Sequence, residues 1–406
     1  MNKETVKRDL KSYLDQLEII DTHEHFTPEK YHLTNQYNFY NWFMPYIQFD
    51  LVSAGMPNKY LWNPPSTDDA VKECWKDIAP LWQYVKQGSY ARPFLMALKE
   101  FYGMDDITEE NYILLGERMN ETRYEGRYKE ILYERCHIKY ILNQCGATSF
   151  EDCYMKGAYQ VVNKIQLNDI ISFQEKNPTA GVDDYAENLR SEILQAKKDG
   201  AVLVKFDSSC FMSVLDKDQA AIEYELIKSQ GANAFKYPGV LATYLYDEAL
   251  KFTEEAGLVA AVHTGVWFNI TEKNPEILFP VVARHPDLKF DIYHMGMPYV
   301  RECAFLGKNY SNVFLNLCWS YIVSPQMTLN ALDEWIDLVP MNKIFGFGGD
   351  FSTMPENIWA HLEMAKETLS EVFSNRIARG NMTLDDAKRI LKLWMHDNPA
   401  RVYGLE

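Results

Sequence analysis

Short apolar runs alternate with amphipathic stretches along most of this chain. The stretches carry apolar residues three and four positions apart, which is typical of helices with one buried face. The runs are nearly continuous, as in parallel strands that are buried on both faces. They predict strands at Glu18–Thr22, Lys139–Asn143, Asp169–Phe173, Ala201–Phe206, Leu258–His263, Lys289–His294, Asn312–Leu317 and Lys343–Phe347. Eight strands joined by helices indicate an α/β fold, the (β/α)8 TIM barrel.

Helical spacing occupies most intervals between these strands and both ends of the chain. Gly200 and Gly257 follow two of the predicted helices, and glycine just past a helix often ends it. The predicted helices are 3–18, Tyr185–Lys198, Leu241–Glu255, Pro355–Phe373 and the two C-terminal closing helices, Thr383–Met395 and Asp397–Tyr403.

The first two predicted strands are separated by about 110 residues, far more than one crossover helix needs. This interval holds an aromatic run, residues 37–46, and helix-like segments around 68–87 and 106–135. We therefore expect residues 26–137 to form a helical insertion, a lid subdomain within a single barrel of residues 1–406. A smaller insertion, about 208–238, follows the fourth strand. Packing in a core or a subunit interface is the favoured role of the aromatic run, and stacking on a substrate is the alternative.

Composition narrows the class of protein. The 406 residues are 47% hydrophobic, enough for a large core, and the net charge of −16 disfavours nucleic acid and anionic membranes as partners. The seven cysteines show no CxxC spacing, as expected for reduced thiols in the cytoplasm. We find no secretory signal pattern and no membrane-spanning apolar stretch. The chain is thus expected to be cytoplasmic, to act on a small molecule and to be compatible with a homo-oligomer.

Metal-capable side chains end several predicted strands. His23 and His25 are two positions apart and therefore point to the same side of the first strand. His263, His294 and Asp350 end three later strands, and the C-terminal strand ends of such a barrel carry its active site. Singly, each histidine is more often a hydrogen-bonded core residue, and Asp350 is compatible with a helix cap. Together they predict a divalent metal site, with zinc favoured over iron, manganese or nickel.

Lys205 lies within an apolar strand, where a lysine is costly without a partner. It is a candidate for binding an anionic substrate, or for carboxylation by CO₂ and bridging of two metals; a solvent-reaching side chain is the alternative. Trp267 and Trp319 are candidates for stacking on a substrate ring or sugar face. Arg301 is a candidate for binding a substrate anion, with a surface role equally compatible.

The order of these motifs resembles the amidohydrolase superfamily, particularly its amidohydrolase-related branch. The long insertion after the first strand is also similar to that of uronate isomerases, a sugar-acid branch of the same superfamily. The matching segments are Asp21 to His25, Val262 to Gly265, His294 to Pro298, Asn312 to Asn316, Phe345 to Asp350 and Asp397 to Gly404.

The resemblance implies roles for individual residues. The metal ligands it implies are His23, His25, His263 and Asp350. Asp350 would also take a proton from the attacking water and return it to the leaving group. His294 would complete a second metal site or polarise the substrate. Lys205 lies on the strand that carries a bridging carboxylated lysine in members with two metals, so the resemblance leaves one or two metals open.

Metal-dependent hydrolysis of an amide, ester or lactone is the leading functional hypothesis, with Asp350, His294 and Lys205 as catalytic candidates. A carboxylated or sugar-acid substrate fits the same hypothesis. Non-oxidative decarboxylation and isomerisation of a uronic acid are alternatives for the same site. A barrel that keeps a metal only for stability, or that acts as a binding module, is the non-enzymatic alternative.

Overall fold

Eight parallel strands lie at the centre of the protein. A computed structural model describes residues 2–44, 46–145, 155–233, 235–237, 239–266 and 269–405. Each strand pairs with the next one along the chain. The strands are β1 (Ile19–Glu24), β2 (Ile138–Asn143), β3 (Met155–Tyr159), β4 (Ala201–Asp207), β5 (Val259–His263), β6 (Phe290–Ile292), β7 (Val313–Asn316) and β8 (Ile344–Phe345). The Thr22 N–H donates to Phe347 O at 3.1 Å, so β1 meets the chain after β8 and the barrel is nearly closed. The predicted (β/α)8 architecture is confirmed.

The third strand was predicted in the wrong place. Asp169–Phe173 lies inside a helix, Leu167–Lys176, and the strand is Met155–Tyr159. Ile170 and Gln174 are the buried residues of that helix, one turn apart on the same face. A five-residue apolar run has the same composition in a buried strand and on one helix face, so periodicity alone did not separate the two.

Helices surround the barrel and form the segment between β1 and β2. Thr67 caps one of the long helices of that segment by accepting a hydrogen bond from the Ala70 N–H. The helices are α1 (Lys3–Leu14), α2 (Glu29–Thr34), α3 (Phe39–Phe43), α4 (Ile47–Ser53), α5 (Asp68–Val85), α6 (Ala91–Tyr102), α7 (Tyr112–Glu121), α8 (Leu167–Lys176), α9 (Val182–Lys198), α10 (Lys217–Gln230), α11 (Val240–Glu255), α12 (Phe279–Arg284), α13 (Val300–Asn309), α14 (Ser320–Val323), α15 (Pro325–Leu338), α16 (Pro355–Ala378), α17 (Leu384–Lys392) and α18 (Asn398–Tyr403). Within the described ranges, none of them is both long and apolar enough to cross a bilayer.

The helices between β1 and β2 bury an aromatic cluster of their own. Phe39, Trp42 and Trp75 are buried in it, and Met354 and Ala360 join it from the region of α16. The Trp42 indole N–H donates to Asn357 Oδ1 at 2.7 Å, which fixes this layer to the start of α16. Most aromatic residues of the run therefore supply core packing, as favoured from the sequence, namely Tyr37, Phe39, Tyr40, Trp42 and Phe43. The description of residues 26–137 as a lid remains a prediction.

Two further apolar clusters position the strand ends. The larger one fills the space between the strands and the outer helices, and a smaller one lies among strand residues that include Leu142, Leu203 and Phe345. Parallel strands covered on both faces need such cores on each side. Because the strands share one direction, their C-terminal ends meet at one end of the barrel. The candidate metal ligands lie at that end.

Candidate metal centre

The candidate ligands come from strand ends and from the turns that follow them. His23 lies in β1 and is buried, whereas the side chain of His25, just beyond the strand, is 42% exposed. His263 ends β5. His294 and Asp350 have left-handed backbones, with φ values of 67° and 61°. Residues other than glycine seldom adopt this conformation, and such residues cluster at functional sites.

Three of the candidate histidines lie within 4 Å of the Asp350 carboxylate, close enough to share an ion with it. Asp350 Oδ1 lies 3.1 Å from His23 Nε2 and 3.3 Å from His25 Nε2, and Asp350 Oδ2 lies 3.8 Å from His294 Nε2. Two ligand atoms that are each about 2.1 Å from one ion at a tetrahedral angle are about 3.4 Å apart. Neither ring nitrogen of the buried His23 has a partner with hydrogen-bond geometry in the described part of the chain. The donor set and its spacing therefore fit a divalent metal.

The compact group of metal-capable atoms differs from the ligand set implied by the sequence. His23, His294 and Asp350 offer ligand atoms within 4.8 Å of one another, and this group was found among the described residues. His263 is not part of this group, and its Nδ1 lies 3.0 Å from His294 Nε2. His294 thus takes a place nearer the centre than expected, and a ligand role for His263 remains a prediction.

Backbone carbonyl groups set the tautomers of His263 and His294. His263 Nε2 lies 3.2 Å from Val266 O, an acceptor, so this nitrogen carries the proton and donates. His294 Nδ1 lies 3.2 Å from Cys318 O, also an acceptor, so this nitrogen carries the proton and donates, and His294 Nε2 faces His263 Nδ1 without a proton at 3.0 Å. Burial lowers the pKa of His263 to about 4 and that of His294 well below its ordinary value, so both rings are neutral. In this tautomer assignment, His263 Nδ1 and His294 Nε2 face each other as unprotonated nitrogens, the state in which imidazoles bind a metal.

Asp350 carries the negative charge of the candidate metal centre. Burial alone would raise the pKa of its carboxyl group, but His23, His25 and His294 outweigh burial and hold the pKa well below its usual range. Burial lowers the pKa of His23 to about 3, so its imidazole is neutral. A carboxylate beside neutral imidazoles at neutral pH is the protonation state that metal binding requires.

Lys205 lies at the same cavity without a salt-bridge partner among the described residues. Its side chain is buried, and its ammonium lies 4.1 Å from the centroid of the Tyr293 ring, a cation–π contact. Burial lowers the pKa of Lys205 to about 8. Asp207, two residues further on, pairs instead with Lys273, whose ammonium is 2.5 Å from Asp207 Oδ2. The alternative of a solvent-reaching Lys205 side chain therefore does not hold, and its roles in binding an anion or as a carboxylated ligand stay predictions.

A cavity of about 390 Å³ opens above this group of side chains. Trp319 forms part of its wall, as expected for a substrate-stacking residue, and the ring of Tyr46 stacks on it with 4.9 Å between centroids. The Tyr46 hydroxyl also donates a hydrogen bond to the backbone oxygen of Asp350. The lining residues are His23, His25, Tyr46, Lys205, Asp207, His263, Trp319, Asp350 and Ser352.

Several site residues were not found from the sequence, and one was assigned wrongly. Tyr46 had a weak signal, its position at the end of the aromatic run, whereas Ser352 had none. Arg301 does not line the cavity: its side chain on α13 is 72% exposed, and its guanidinium lies 2.8 Å from Glu334. Arg301 therefore forms a surface ion pair with Glu334, and its predicted role in substrate binding is not supported. Trp267 lies outside the described residues.

Known proteins of similar fold span this chain almost from end to end. Glucuronate isomerase from Caulobacter crescentus has a TM-score of 0.79 and 17% identity, covering 100% of this chain and 95% of that one. Uronate isomerase from Thermotoga maritima has a TM-score of 0.75 and 14% identity, covering 98% and 97%. A Lactobacillus casei protein provisionally described as a metal-dependent hydrolase has a TM-score of 0.67 and 17% identity, covering 97% of each chain. At these identities the likeness establishes the fold.

Sequence comparison identifies the family. Protein fluG of Emericella nidulans is 28% identical over 148 residues, which are 36% of this chain and 17% of that protein. This chain therefore spans only a minor part of that relative. A family model described as Amidohydrolase matches residues 186–405, more than half of the chain and the part that includes β4 to β8. The chain belongs to the amidohydrolase family.

Proposed function

We propose that this protein is a metal-dependent hydrolase of a small molecule that contains an amide, ester or lactone. The observation that carries the proposal is the approach of His23 Nε2 and His25 Nε2 to one carboxylate oxygen of Asp350, at 3.1 and 3.3 Å. A divalent metal, with zinc as the first candidate, supplies Lewis-acid activation of water and polarisation of a carbonyl when it is bound in such a site. His23, His25 and Asp350 would hold it.

The protein's own groups would move the proton. Asp350 is ionised at neutral pH, because the surrounding histidines keep its pKa low, so it accepts a proton from the attacking water. The same carboxyl group then returns the proton to the leaving group. His294 lies 3.8 Å from Asp350 Oδ2 and is oriented by His263 and Cys318, which suits it to polarise the substrate. These roles also make Asp350 the most sensitive position.

The cavity wall favours a substrate with a ring or sugar face and an acidic group. Trp319 and Tyr46 present stacked rings, and the buried ammonium of Lys205 provides a cation. Placing an anionic group beside Lys205 would compensate the cost of keeping this charge away from water. A lactone or an ester of a carboxylated compound combines these features.

Isomerisation of a uronic acid is the second candidate. It is supported by the match to glucuronate isomerase, which extends over the whole chain and so includes the helices between β1 and β2. In this case Asp350 would move a proton between substrate carbons or oxygens, and Lys205 would bind the substrate carboxylate. Both candidates use one metal site and differ in whether water is consumed.

One set of assays separates them. Protein loaded with Zn²⁺, Mn²⁺ or Co²⁺ is tested on p-nitrophenyl acetate, an acetylated amide, glucono-δ-lactone, D-glucuronate and D-galacturonate. Metal-dependent hydrolysis that Asp350→Asn abolishes and Arg301→Ala retains supports the hydrolase. Conversion of either uronate to a keto acid, without hydrolysis of the other compounds, supports the isomerase instead. Hydrolysis that persists in Asp350→Asn or in the metal-free protein would contradict the hydrolase.

A further inference from the structure

Two acidic side chains of β1 lie behind the metal centre and bind backbone. Asp21 and Glu24 are fully buried. Strand alternation turns Glu24 away from His23, so Glu24 is not positioned as a ligand beside it. Asp21 Oδ1 accepts hydrogen bonds from the N–H of His23 at 3.1 Å and of Gly349 at 3.2 Å. Glu24 Oε2 accepts the N–H of Phe351 at 2.7 Å. The two carboxylates therefore bind the amides on both sides of Asp350.

The central amide of this turn is bound to the same strand. The N–H of Asp350 donates to His23 O at 2.8 Å, and the N–H of His25 donates to Phe351 O at 3.0 Å. Residues 349–351 thus have each of their three amides bonded to β1. A left-handed aspartate persists only where its surroundings impose that conformation, and these bonds surround the left-handed Asp350.

The shape of the turn also depends on Glu24. A Cβ added to Gly349 would collide with Glu24 Oε1 and with Ile358 Cδ1. The Glu24 carboxylate therefore lies directly against the backbone of the turn, in contact that only glycine permits. This contact fixes both the direction and the distance of the turn relative to β1.

Stability alone does not explain the pair. Two neighbouring buried carboxyl groups are costly, because both are removed from water. Apolar residues of similar volume often give equal or greater stability at buried charged positions. Apart from the bond that Asp21 accepts from the His23 N–H, their hydrogen bonds lead to the segment that presents Asp350 to His23 and His25.

We propose that Asp21 and Glu24 are positioning residues that hold the turn at residues 349–351, so that the Asp350 carboxylate faces His23 and His25. This inference rests on the proposed function, because it assumes that these three side chains bind a metal. Residues behind metal ligands typically change metal affinity about 10–100-fold when they are altered. The same range is expected here.

Binding of Co²⁺ tests the inference without a known substrate, because the visible absorption of Co²⁺ reports coordination geometry. Glu24→Met keeps the side-chain length and removes the acceptor. It is expected to weaken Co²⁺ binding about 10–100-fold and to change the absorption spectrum. Glu24→Gln keeps an oxygen that accepts the Phe351 N–H, so it is expected to retain both. Asp247→Asn is the matched control: it alters another buried carboxylate, bound to His285 and Arg284, and should lower stability without changing Co²⁺ binding.

Two outcomes overturn the inference. In the first, folded Glu24→Met has wild-type Co²⁺ affinity and spectrum. In the second, Asp247→Asn alters Co²⁺ binding as strongly as Glu24→Met does. If Glu24→Met does not fold, Glu24→Asp replaces it, because its shorter side chain cannot reach the Phe351 amide, and the same readouts apply. Failure of the proposed function is distinct: wild-type protein would then bind no Co²⁺, or His23→Ala would bind it equally well.

Discussion

A buried ion pair fastens the helices between β1 and β2 to the barrel, and its removal gives a quantitative prediction. Arg127 Nη2 lies 2.8 Å and Arg127 Nε 3.3 Å from Glu356 Oε1. The side chains are 9% and 4% exposed, so little water reaches either charge. Glu356 lies in the first turn of α16, shortly after the turn that carries Asp350.

Replacing Arg127 alone leaves a buried carboxylate with one weak neutral donor, the Tyr102 hydroxyl at 3.3 Å. Loss of one partner from a buried pair costs about 3–5 kcal/mol, whereas replacing both partners with apolar residues is often neutral. Arg127→Met is therefore expected to lower the free energy of unfolding by about 3–5 kcal/mol. The double variant Arg127→Met/Glu356→Leu is expected to recover most of that loss.

Denaturant unfolding, followed by tryptophan fluorescence, measures both variants against a matched control. Lys99→Met breaks an exposed pair, with 2.8 Å between Lys99 Nζ and Asp105 Oδ1 and side chains 73% and 85% exposed. Such exposed pairs contribute about 0–1 kcal/mol. The reasoning is refuted if Arg127→Met costs no more than Lys99→Met, or if the double variant is less stable than Arg127→Met.

Two further predictions concern packing and pH. A Cβ on Gly348 would lie 2.5 Å from Cys318 Cβ, so Gly348→Ala should lower the free energy of unfolding by about 1–3 kcal/mol. A Cβ on Gly181 would meet only a side-chain oxygen at 3.9 Å, so Gly181→Ala is the control and should be nearly neutral. Thermal unfolding measures both variants. Burial would raise the pKa of Asp247, but hydrogen bonds led by that of His285 hold it at about 2, below the ordinary 3.8. The resulting stability, about 2 kcal/mol relative to Asp247→Asn, is present above pH 4 and lost as the pH falls toward 2. A pH-independent difference would contradict this.

Sequence periodicity predicted the barrel because most strands are buried on both faces and read as apolar runs. β3 was the exception: Met155–Tyr159 contains Lys156 and Gly157, so it does not form such a run. The helix at Leu167–Lys176 does contain such a run, so its sequence predicts a strand there. Local composition does not distinguish these cases; the pairing of β3 with β2 and β4 does. The cytoplasmic location and a homo-oligomer remain predictions.

The candidate site was predictable where strand geometry dictates direction. His23 and His25 converge because residues two apart in a strand point the same way. His294 and Asp350 follow their strands in left-handed turns, which redirect side chains in a way that residue order does not reveal. This is why His294 lies closer to His23 and Asp350 than the sequence indicated. Contacts made by Tyr46 depend on the fold of a long insertion, which its position in the aromatic run does not reveal.

The central claim is that His23, His25 and Asp350 hold one divalent metal. Elemental analysis of protein purified without chelators tests it most directly, together with the mass of the intact chain. We expect about one equivalent of metal in the wild-type protein, almost none in His23→Ala, and an unmodified Lys205. Wild-type protein without metal, or His23→Ala with an undiminished metal content, would contradict it. Two equivalents beside a carboxylated Lys205 would contradict the single-metal form.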